Sequence, residues 1–576
     1  MKLNRKYIFG GLTVSLIGFS SYVAVNDYFE ISKNLEIHAE LFKELNTYYV
    51  DQTNPGELMQ TGIDAMLRSL DPYTNYFPEN SVEDARFAAT GSYGGVGATF
   101  RVINNRVMIA APYEKGPAQA AGLMPGDIII EINNRDVRNL PPEEVLQLLR
   151  GAPGSKVDIR ILRDTEEKLV KVVRAEISVK TVPYYGMLAP EIGYIKLSKF
   201  KEDASQGVRD ALTDLKSKGQ LKGLVLDLRG NPGGLLREAI NICNLFIPKG
   251  KLVVSTKGKV AEWNKQYTTA GNAMDPTLPL VVLVDRRSAS ASEIVAGVMQ
   301  DYDRAVIIGN KSFGKGLVQT TRFLKYNTQL KVTVSKYYTP SGRCIQAIDY
   351  GSKENGEARR ILESAQQEFK TALGRKVYDG GGVMPDIEIK DAIFHSVTLA
   401  VLAENLVFKY ATLYHQQHPS IGNATTFTLP DADYNAFAEF VKKEGFTYQT
   451  PAEKALQSVL KESEKEPLFA AVNAELRSAG QKFAAAKIQG LQQYKAELKP
   501  LLEAEIVSRY YFANGRLEWE LQHDADVKKA IEVLNDAGAY SKILSPSWNI
   551  PRLETDTAGA AFQKLYFQQI EEDIED

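Results

Sequence analysis

Three serines stand at alternate positions just ahead of a helical pattern, and a lysine between two glycines follows soon after. The stretch is "RRSASASEIVAGVMQDYDRAVIIGNKSFGKGLVQ", residues 286–319, with Ser288, Ser290 and Ser292 as candidate nucleophiles and Lys315 as candidate base. A serine hydroxyl becomes a strong nucleophile when a neighbouring base takes its proton, and a neutral lysine amine can be that base. These residue types therefore suggest acyl transfer.

The same lysine also fits the start of a phosphate-binding loop. Gly309–Lys315 satisfies G-x-x-x-x-G-K and follows an apolar strand pattern. However, Gly316 stands where that motif needs a hydroxyl for magnesium, and the chain continues as "LVQTTRFL", which is β-like rather than helical. Without a helix N-terminus there are no aligned amides for the phosphates. We therefore favour the proton acceptor.

The positions of the histidines support this choice. The chain has five, at 38, 395, 415, 418 and 523, so a serine near residue 290 has no histidine in its own segment. Deprotonating a lysine of unperturbed pKa near 10.4 at pH 7.4 costs about 4 kcal/mol, so its pocket must be apolar.

Pattern alone leaves the choice of serine open. Ser290 with Glu293 fits a capping box, and the amides of a first helical turn also face an oxyanion that develops beside the cap. The loop "LDLRGNPGG", residues 226–234, ends in two glycines that either donate an amide to this oxyanion or only make a turn. Gln319 returns to the face of Lys315 on an extended chain, where it either orients the amine or is an exposed strand residue.

Composition limits the classes of partner. A net charge of -2 over 576 residues gives no global basic field, so we expect no nucleic acid. Cys243 and Cys344 are too few for a disulfide scaffold and are predicted to be free thiols. We expect neither a metal ion nor another cofactor.

The N-terminus carries an export signal. Residues 7–25 contain no charge and follow Lys2, Arg5 and Lys6. The pattern fits a cleaved signal peptide as well as an uncleaved inner-membrane anchor over residues 1–26. Either way, the rest of the chain is expected to be exported, and thus periplasmic.

The periodicity then changes along the chain. Residues 27–90 are predicted to be helical, 91–180 to form a compact β-rich module, 181–390 to form a core in which strands alternate with helices from 191 to 340, and 391–576 to be a helical accessory domain. Alternation with continuously apolar strands predicts a multidomain α/β protein with a sheet buried on both faces.

At this point the chain resembles the C-terminal processing peptidases, or tail-specific proteases, of serine peptidase family S41. The resemblance covers roughly residues 35–390 and rests on an ordered set of motifs: "LFKELNTYYVD", "MLRSLDPYTNYF", "GGVGATF", "AGLMPGDIIIEIN", "LDLRGNPGG", "SASASEIVAG", "GNKSFGKGLVQ", "YYTPSGRCIQ" and "GGGVMPDI". It implies a Ser-Lys peptidase with a crotonase-like (ClpP/crotonase) core and an inserted PDZ domain over 91–180.

The resemblance also implies roles for individual residues. Ser290 is the expected nucleophile, Lys315 the general base and Gln319 the residue that orients the lysine. The oxyanion hole is expected from the amides of Ala291 and Gly233.

The PDZ module is expected to bind the free C-terminus of protein substrates. Backbone amides of its loop at Gly94, Gly95, Val96 and Gly97 would bind the carboxylate, and the peptide would add as a strand beside "ATFRV". The helix with Val145, Leu146 and Leu149 would offer an apolar pocket, although at least two of these three are expected in the core. Tail binding would then favour the arrangement in which Ser290 meets Lys315.

Two features depart from the family pattern. Tyr73 stands where the family commonly has histidine, which strengthens the serine-lysine hypothesis. The resemblance does not explain residues 391–576, which could form a dimer interface, cradle a partner or shield the site.

The sequence thus predicts a serine endopeptidase that cleaves exported proteins near their C-terminus and is gated by the PDZ domain. The alternative is a non-catalytic PDZ scaffold that binds protein C-termini. Acyl-CoA chemistry on the crotonase-like fold is disfavoured, because no acidic pair replaces the serine and lysine. The sequence leaves an adaptor protein and a homo-oligomer open.

Overall fold

The computed structural model describes residues 28–79, 92–163, 165–178, 180–354, 357–390, 394–487 and 489–550. The uncharged run at 7–25 lies outside these residues. The chain forms two compact units. Of the described residues, one unit combines 28–79 with Thr320–Val332, and the other contains the rest.

The first unit contains two helices and a short strand. These are α1 (28–48), α2 (Pro55–Arg68) and β1 (Asn75–Phe77). The side chain of Asn54 caps α2 by accepting the N–H groups of Gly56 and Glu57. Strand β1 pairs antiparallel with residues 329–331 of the same unit.

The β-rich module spans residues 92–178. Its elements are β2 (Ser92–Gly95), β3 (Ala98–Ile103), β4 (Arg106–Pro112), α3 (Pro117–Ala120), β5 (Ile128–Ile132), β6 (Arg135–Asp136), α4 (Pro142–Leu149), β7 (Lys156–Arg163), β8 (Glu166–Val173) and β9 (Ala175–Ser178). Strands β2 and β9 pair and close the module. The main sheet has the order β3-β4-β5-β7-β8, so β3 is an edge strand. Val145 and Leu149 of α4 lie in the module's core, and Leu146 packs against it half-buried.

In residues 180–390, strands and helices follow one another up to residue 309, and strands predominate after it. The elements are β10 (Tyr184–Ala189), β11 (Ile192–Lys196), α5 (Ala204–Ser217), β12 (Gly223–Asp227), α6 (Leu236–Phe246), β13 (Leu252–Gly258), β14 (Lys265–Thr268), β15 (Leu280–Val284), α7 (Ala291–Asp301), β16 (Val306–Gly309), β17 (Leu317–Phe323), β18 (Gln329–Tyr338), β19 (Ile348–Glu354), β20 (Glu357–Arg360), β21 (Glu368–Lys370), β22 (Lys376–Tyr378) and β23 (Ile387–Glu388).

The central sheet has the order β10-β11-β12-β15-β16-β23. Strand β10 is antiparallel to β11, and all other neighbours are parallel. Helices α5, α6 and α7 cover one face, where Leu226, Val282 and Ile307 are fully buried. Strands β12 and β15 are buried along their whole length and, apart from Asp227 at the end of β12, apolar, as strands covered on both faces must be.

The C-terminal part, residues 394–550, is helical. Its helices are α8 (Ser396–Ala403), α9 (Leu406–Gln417), α10 (Asp431–Lys443), α11 (Pro451–Ser463), α12 (Ala470–Lys487), α13 (Gly490–Gln493), α14 (Lys495–His523), α15 (Ala525–Asn535) and α16 (Ala537–Ile543). Phe512, with φ 56°, interrupts α14. Among the described residues no single helix is long and apolar enough to cross a membrane; α8 and α9 together meet that criterion, bent by 63°.

The end of this helical region completes the fold of the central sheet. Val527, Ala530 and Val533 of α15 pack against Val225 and Val281 on the face opposite α5–α7. Residues 525–543 therefore cover the second face of the sheet, a role that differs from the three that the sequence suggested.

The helical region also contacts the β-rich module. Arg101 of the edge strand β3 donates to Asn405 Oδ1 at 2.8 Å, and its guanidinium lies 4.8 Å from the centre of the Phe408 ring. Arg101 thus links β3 to the junction of α8 and α9.

Candidate active site

The loops that follow three neighbouring strands meet at the carboxyl edge of the parallel sheet. The loop after β12 joins the loop after β15, since the Gly230 N–H donates to Asp285 Oδ1 at 2.9 Å. The loop after β16 joins them through the Phe313 N–H, which donates to Ser288 O at 3.1 Å. Ligand sites in α/β sheets lie at this edge, so it is the candidate active site.

Ser290 is the N-cap residue of α7, in the turn after β15. Its φ of 54° and ψ of -111° lie outside the regions that non-glycine residues favour. Surrounding contacts hold this strained turn; for example, the buried Tyr337 hydroxyl donates to Ser290 O at 3.2 Å. The turn leaves the Ser290 side chain half-buried at the start of the helix.

The three alternating serines differ in their surroundings. The fully buried Ser288 hydroxyl donates to Leu228 O at 2.8 Å, and the fully buried Ser292 hydroxyl donates to Asn231 O at 2.9 Å. The two outer serines therefore attach the turn to the glycine loop of residues 228–234. Their engagement leaves the middle serine as the candidate nucleophile.

The Glu293 carboxylate connects the serine turn with the lysine loop. Its Oε2 atom accepts the N–H groups of Ser290 at 2.8 Å and of Lys315 at 2.9 Å. Its Oε1 atom accepts the Ser312 hydroxyl at 2.6 Å and the Gly314 N–H at 2.7 Å. One buried side chain thus brings the backbones of the two predicted catalytic residues to a single oxygen atom.

Burial raises the pKa of the Glu293 carboxyl to about 7 from an ordinary 4.5, although its donors act in the opposite direction. Between pH 4.5 and about pH 7, the Glu293 carboxyl of the folded protein holds a proton that the same carboxyl has released in the unfolded chain. Ionisation of Glu293 therefore lowers the stability of the fold as pH rises through this window, by about 3 kcal/mol in all. The four converging donors suit the ionised carboxylate, which accepts without donating.

We expect Glu293→Gln to lower kcat about 10- to 100-fold, because an amide NH2 would face N–H groups that need an acceptor. In the unaltered chain, kcat should also fall as pH falls through about 7, as the carboxyl protonates. The variant should lose this inflection and keep only the part of the pH profile due to the base. Steady-state kinetics between about pH 5.5 and 8.5 measure both effects.

Glu453→Gln is the matched control, because Glu453 occupies the same capping-box position in α11. Its kcat should match that of the unaltered chain. Equal kcat for Glu293→Gln and Glu453→Gln would contradict a role for Glu293 in holding the two loops.

Lys315 is followed by strand β17 and not by a helix, which removes the amide array that a phosphate needs. The glycines on either side have another explanation. A side chain at Gly314, where φ is 92°, would come within 2.4 Å of Ala347 Cβ, and one at Gly316 would come within 2.8 Å of Gln346 N. Close approach of the neighbouring segment therefore requires both glycines.

Gln319 lies in β17, four residues after Lys315. Its Nε2 atom donates to Thr333 Oγ1 at 3.1 Å. The cross-strand hydrogen bond fixes the orientation of the amide, and its predicted action on Lys315 stays a prediction.

The two predicted oxyanion donors lie side by side. A Cβ atom built on Gly233 would lie 2.9 Å from both Ala291 N and Ser290 Cβ, and the φ of Gly233 is 99°. Ala291 is the first residue of α7, so its N–H has no acceptor within the helix. The Gly233 N–H donates to Asn231 Oδ1 at 2.9 Å, which means that in this conformation it points at a side chain of its own loop.

The four residues predicted to bind the carboxylate in the β-rich module occupy different places, and their role stays a prediction. Gly94 and Gly95 are residues of β2, paired with Glu176 and Ala175. A side chain at Gly94 would come within 2.0 Å of Gly151 O, so backbone packing explains this glycine. Val96 and Gly97 alone form the link between β2 and β3. Gly97 has the positive φ of 72° that a tight turn requires.

Four histidines lie in the helical region, each in a contact of its own. His395 bonds to Glu497, His415 lies against Tyr510, His418 stacks on Tyr414 and His523 stacks on Trp519. None of these contacts involves the serine turn, so the described histidines in this unit do not offer an alternative base.

Sequence reasoning missed two features of this site. The spacing Ser290 to Glu293 signalled a capping box, but not the reach of Glu293 to a loop more than twenty residues away. No sequence signal connects Arg229 of the glycine loop with Asp524, whose carboxylate lies 2.7 Å from its guanidinium.

Comparison with known families matches three parts of the chain. Residues 191–354 match peptidase family S41, residues 108–163 match a PDZ domain, and residues 397–534 match the C-terminal helical domain of probable PDZ-proteases. The third match accounts for most of the helical region, which the resemblance to family S41 left unexplained.

The chain is also similar to individual proteins. The carboxy-terminal-processing protease of Bartonella bacilliformis is 37% identical over 342 residues, which cover 58% of this chain and 78% of that protein. A probable CtpA-like serine protease of Staphylococcus aureus is 37% identical over 316 residues, covering 54% of this chain and 62% of that protein. Among solved structures, a photosystem II D1 C-terminal processing protease is 26% identical with a TM-score of 0.34, covering 61% of this chain and 92% of that one.

The described part of the chain thus combines an α/β peptidase domain, a PDZ domain and a C-terminal helical domain, with serine and lysine loops joined at the sheet edge. With 37% identity over most of a curated relative, the chain belongs to the carboxy-terminal-processing proteases of family S41, which are serine peptidases.

Proposed function

We propose that this chain is a serine endopeptidase that cleaves exported proteins near their C-terminus through a Ser290–Lys315 dyad. The observation that carries the proposal is the shared carboxylate oxygen of Glu293, which accepts the backbone N–H of both residues. Membership of a serine peptidase family favours this function over a non-catalytic PDZ scaffold.

In the first half of the reaction, the neutral Lys315 amine accepts the proton of the Ser290 hydroxyl. The Ser290 oxygen forms a bond to the scissile carbonyl carbon, whose oxygen becomes an oxyanion. When the C–N bond breaks, the lysine ammonium returns its proton to the leaving amine. The products are an amine-terminated tail fragment and an ester on Ser290.

In the second half, Lys315 accepts a proton from water, and the hydroxide attacks the ester. Breakage of the ester bond and return of the proton to the Ser290 oxygen release the carboxylic acid. The Ala291 N–H at the start of α7 is the supported oxyanion donor. A second donor from Gly233 requires its N–H to leave Asn231 Oδ1.

We further propose that the PDZ domain binds the substrate tail along the edge strand β3, with the carboxylate at Val96 and Gly97. The edge position of β3 supports this, because an extended peptide can add there as a strand. Arg101 of the same strand contacts Asn405 and Phe408. A tail bound along β3 would therefore lie next to the contact between the PDZ and helical domains. This contact offers a route for gating.

The test of this function is cleavage of an unstructured protein with an apolar C-terminal tail, offered with a free carboxylate or a C-terminal amide. We expect cleavage near the C-terminus and a kcat/KM about 10- to 100-fold lower for the amide, because a charged hydrogen-bond acceptor is lost. Mass spectrometry of the fragments locates the cut.

The sequence around the cut is identical in the two substrates, so the dyad itself meets the same peptide bond. Equal kcat/KM values for the two substrates would contradict recognition of the C-terminal carboxylate by the PDZ domain. Absence of any cleavage would reject the peptidase.

Two broader assignments belong to the same proposal. The parallel strands β11, β12, β15 and β16 with helices on both faces support a crotonase-like core. Export to the periplasm, by a signal or with an anchor in the inner membrane, is supported by the charge-free residues 7–25 behind Lys2, Arg5 and Lys6.

A further inference from the structure

Two carboxylates of the C-terminal helical domain bind the arginine of the glycine loop. Arg229 Nη1 lies 2.7 Å from Asp524 Oδ2 and 3.0 Å from Asp526 Oδ2. The three side chains are only 14–21% exposed, so water screens these ion pairs weakly. Asp524 is the residue between α14 and α15 and accepts the N–H groups of Asp526 and Val527.

The same guanidinium also binds the end of strand β12. Its Nε and Nη2 atoms donate to the two oxygens of Asp227 at 3.1 and 2.8 Å, and Asp227 is fully buried. Lys196 approaches Asp227 Oδ2 at 3.2 Å and donates to Arg229 O at 2.8 Å. Arg229 is therefore fixed on one side by the sheet and on the other by the helical domain.

Arg229 begins the loop that faces the serine turn. Two residues later, Asn231 O accepts the Ala289 N–H at 3.1 Å and the Ser292 hydroxyl at 2.9 Å. Gly233 lies against Ser290 and Ala291. Arg229 and the atoms that surround the nucleophile are separated by only a few covalent bonds. A displacement of Arg229 would therefore move those atoms.

We propose that Asp524 and Asp526 are positioning residues for the peptidase reaction: through Arg229, they hold the glycine loop against the Ser290 turn. This inference rests on the proposed function of Ser290 and Lys315. It gives the helical domain a part in catalysis that is exerted through Arg229.

The test compares Asp524→Asn, Asp526→Asn and the double variant in the full-length protein. Asparagine caps a helix as well as aspartate does, so Asp524→Asn removes the charge and keeps the cap. The probe is an internally quenched peptide with an apolar tail and a free carboxylate. We expect kcat to fall about 10-fold in the double variant and KM to stay within about twofold, because the PDZ domain still binds the tail.

Three controls separate positioning from folding. Asp431→Asn removes a 74% exposed carboxylate from the same domain and should leave kcat unchanged. Asp524→Glu keeps the charge and should therefore retain most of the kcat that Asp524→Asn loses. The melting temperature of each variant shows whether the folded fraction has changed.

A double variant with unchanged kcat would overturn the inference, as would a loss of kcat that Asp524→Glu does not restore. A rise in KM at constant kcat would also overturn it, because that result would place the carboxylates in substrate binding. Ser290→Ala is measured alongside: if it remains active, the dyad is wrong, whereas an inactive Ser290→Ala with a fully active double variant rejects only the role of Asp524 and Asp526.

Discussion

Ser290→Ala should lower kcat for a tailed peptide by about 10⁴-fold or more, and Lys315→Ala should lower it by a similar factor. Alanine at 290 leaves no oxygen to form the acyl-enzyme. Alanine at 315 leaves the hydroxyl in place but removes the group that accepts its proton. Because the two residues act as one unit, the double variant should be no slower than either single variant.

Both substitutions leave the backbone N–H groups that Glu293 accepts, so the loops are expected to keep their places. Melting temperatures close to that of the unaltered chain would show this. A fluorophosphonate probe, which reacts with activated serines, should label the unaltered chain and fail to label Ser290→Ala.

Ser288→Ala is the matched control, two residues away in the same turn. Its hydroxyl donates to Leu228 O and is fully buried, so its loss should lower the free energy of unfolding by about 1–3 kcal/mol. Activity of the folded fraction should remain within about fivefold of the unaltered chain. If Ser288→Ala loses as much activity as Ser290→Ala, or if either dyad variant stays active, the assignment of the nucleophile or base is wrong.

The architecture was largely predictable, because periodicity reports burial. Residues 180–390 contain the continuously apolar runs that are typical of strands covered on both faces of a sheet. These runs form β11, β12, β15 and β16. What covers the second face was not predictable. The amphipathic pattern of α15 predicts that one side is buried, but not that this side packs on Val225 and Val281, more than two hundred residues away.

The candidate active site was likewise predictable only in part. The types and order of Ser290 and Lys315 could be read along the chain, because a reactive pair needs particular residues. The carboxylate that joins them and the ion pairs on Arg229 depend on which loops meet in space. The glycines show the same limit: Gly94 and Gly316 look alike in sequence, and only the neighbouring Gly151 O and Gln346 N explain why each must be glycine.

Gly233→Ala should lower kcat by about 10²- to 10³-fold, comparable to the loss of one oxyanion donor. The added Cβ atom would lie 2.7 Å from Ala289 O and 2.9 Å from Ala291 N and Ser290 Cβ. These contacts are too short, and the backbone atoms they involve cannot rotate away. The turn that holds the nucleophile and the Ala291 N–H must therefore shift. Alanine is also strained at a φ of 99°.

The control is Gly230→Ala in the same loop. Gly230 has a φ of 70°, so alanine is strained there as well, but its Cβ atom would meet no atom within 4 Å. Both variants should lose about 1 kcal/mol of stability to backbone strain, and only Gly233→Ala should lose kcat. KM for the tailed peptide should stay the same in both, because the tail is bound elsewhere. If Gly230→Ala and Gly233→Ala lose kcat equally, strain in the loop explains the effect, and the contact of Gly233 with the serine turn has no part in catalysis.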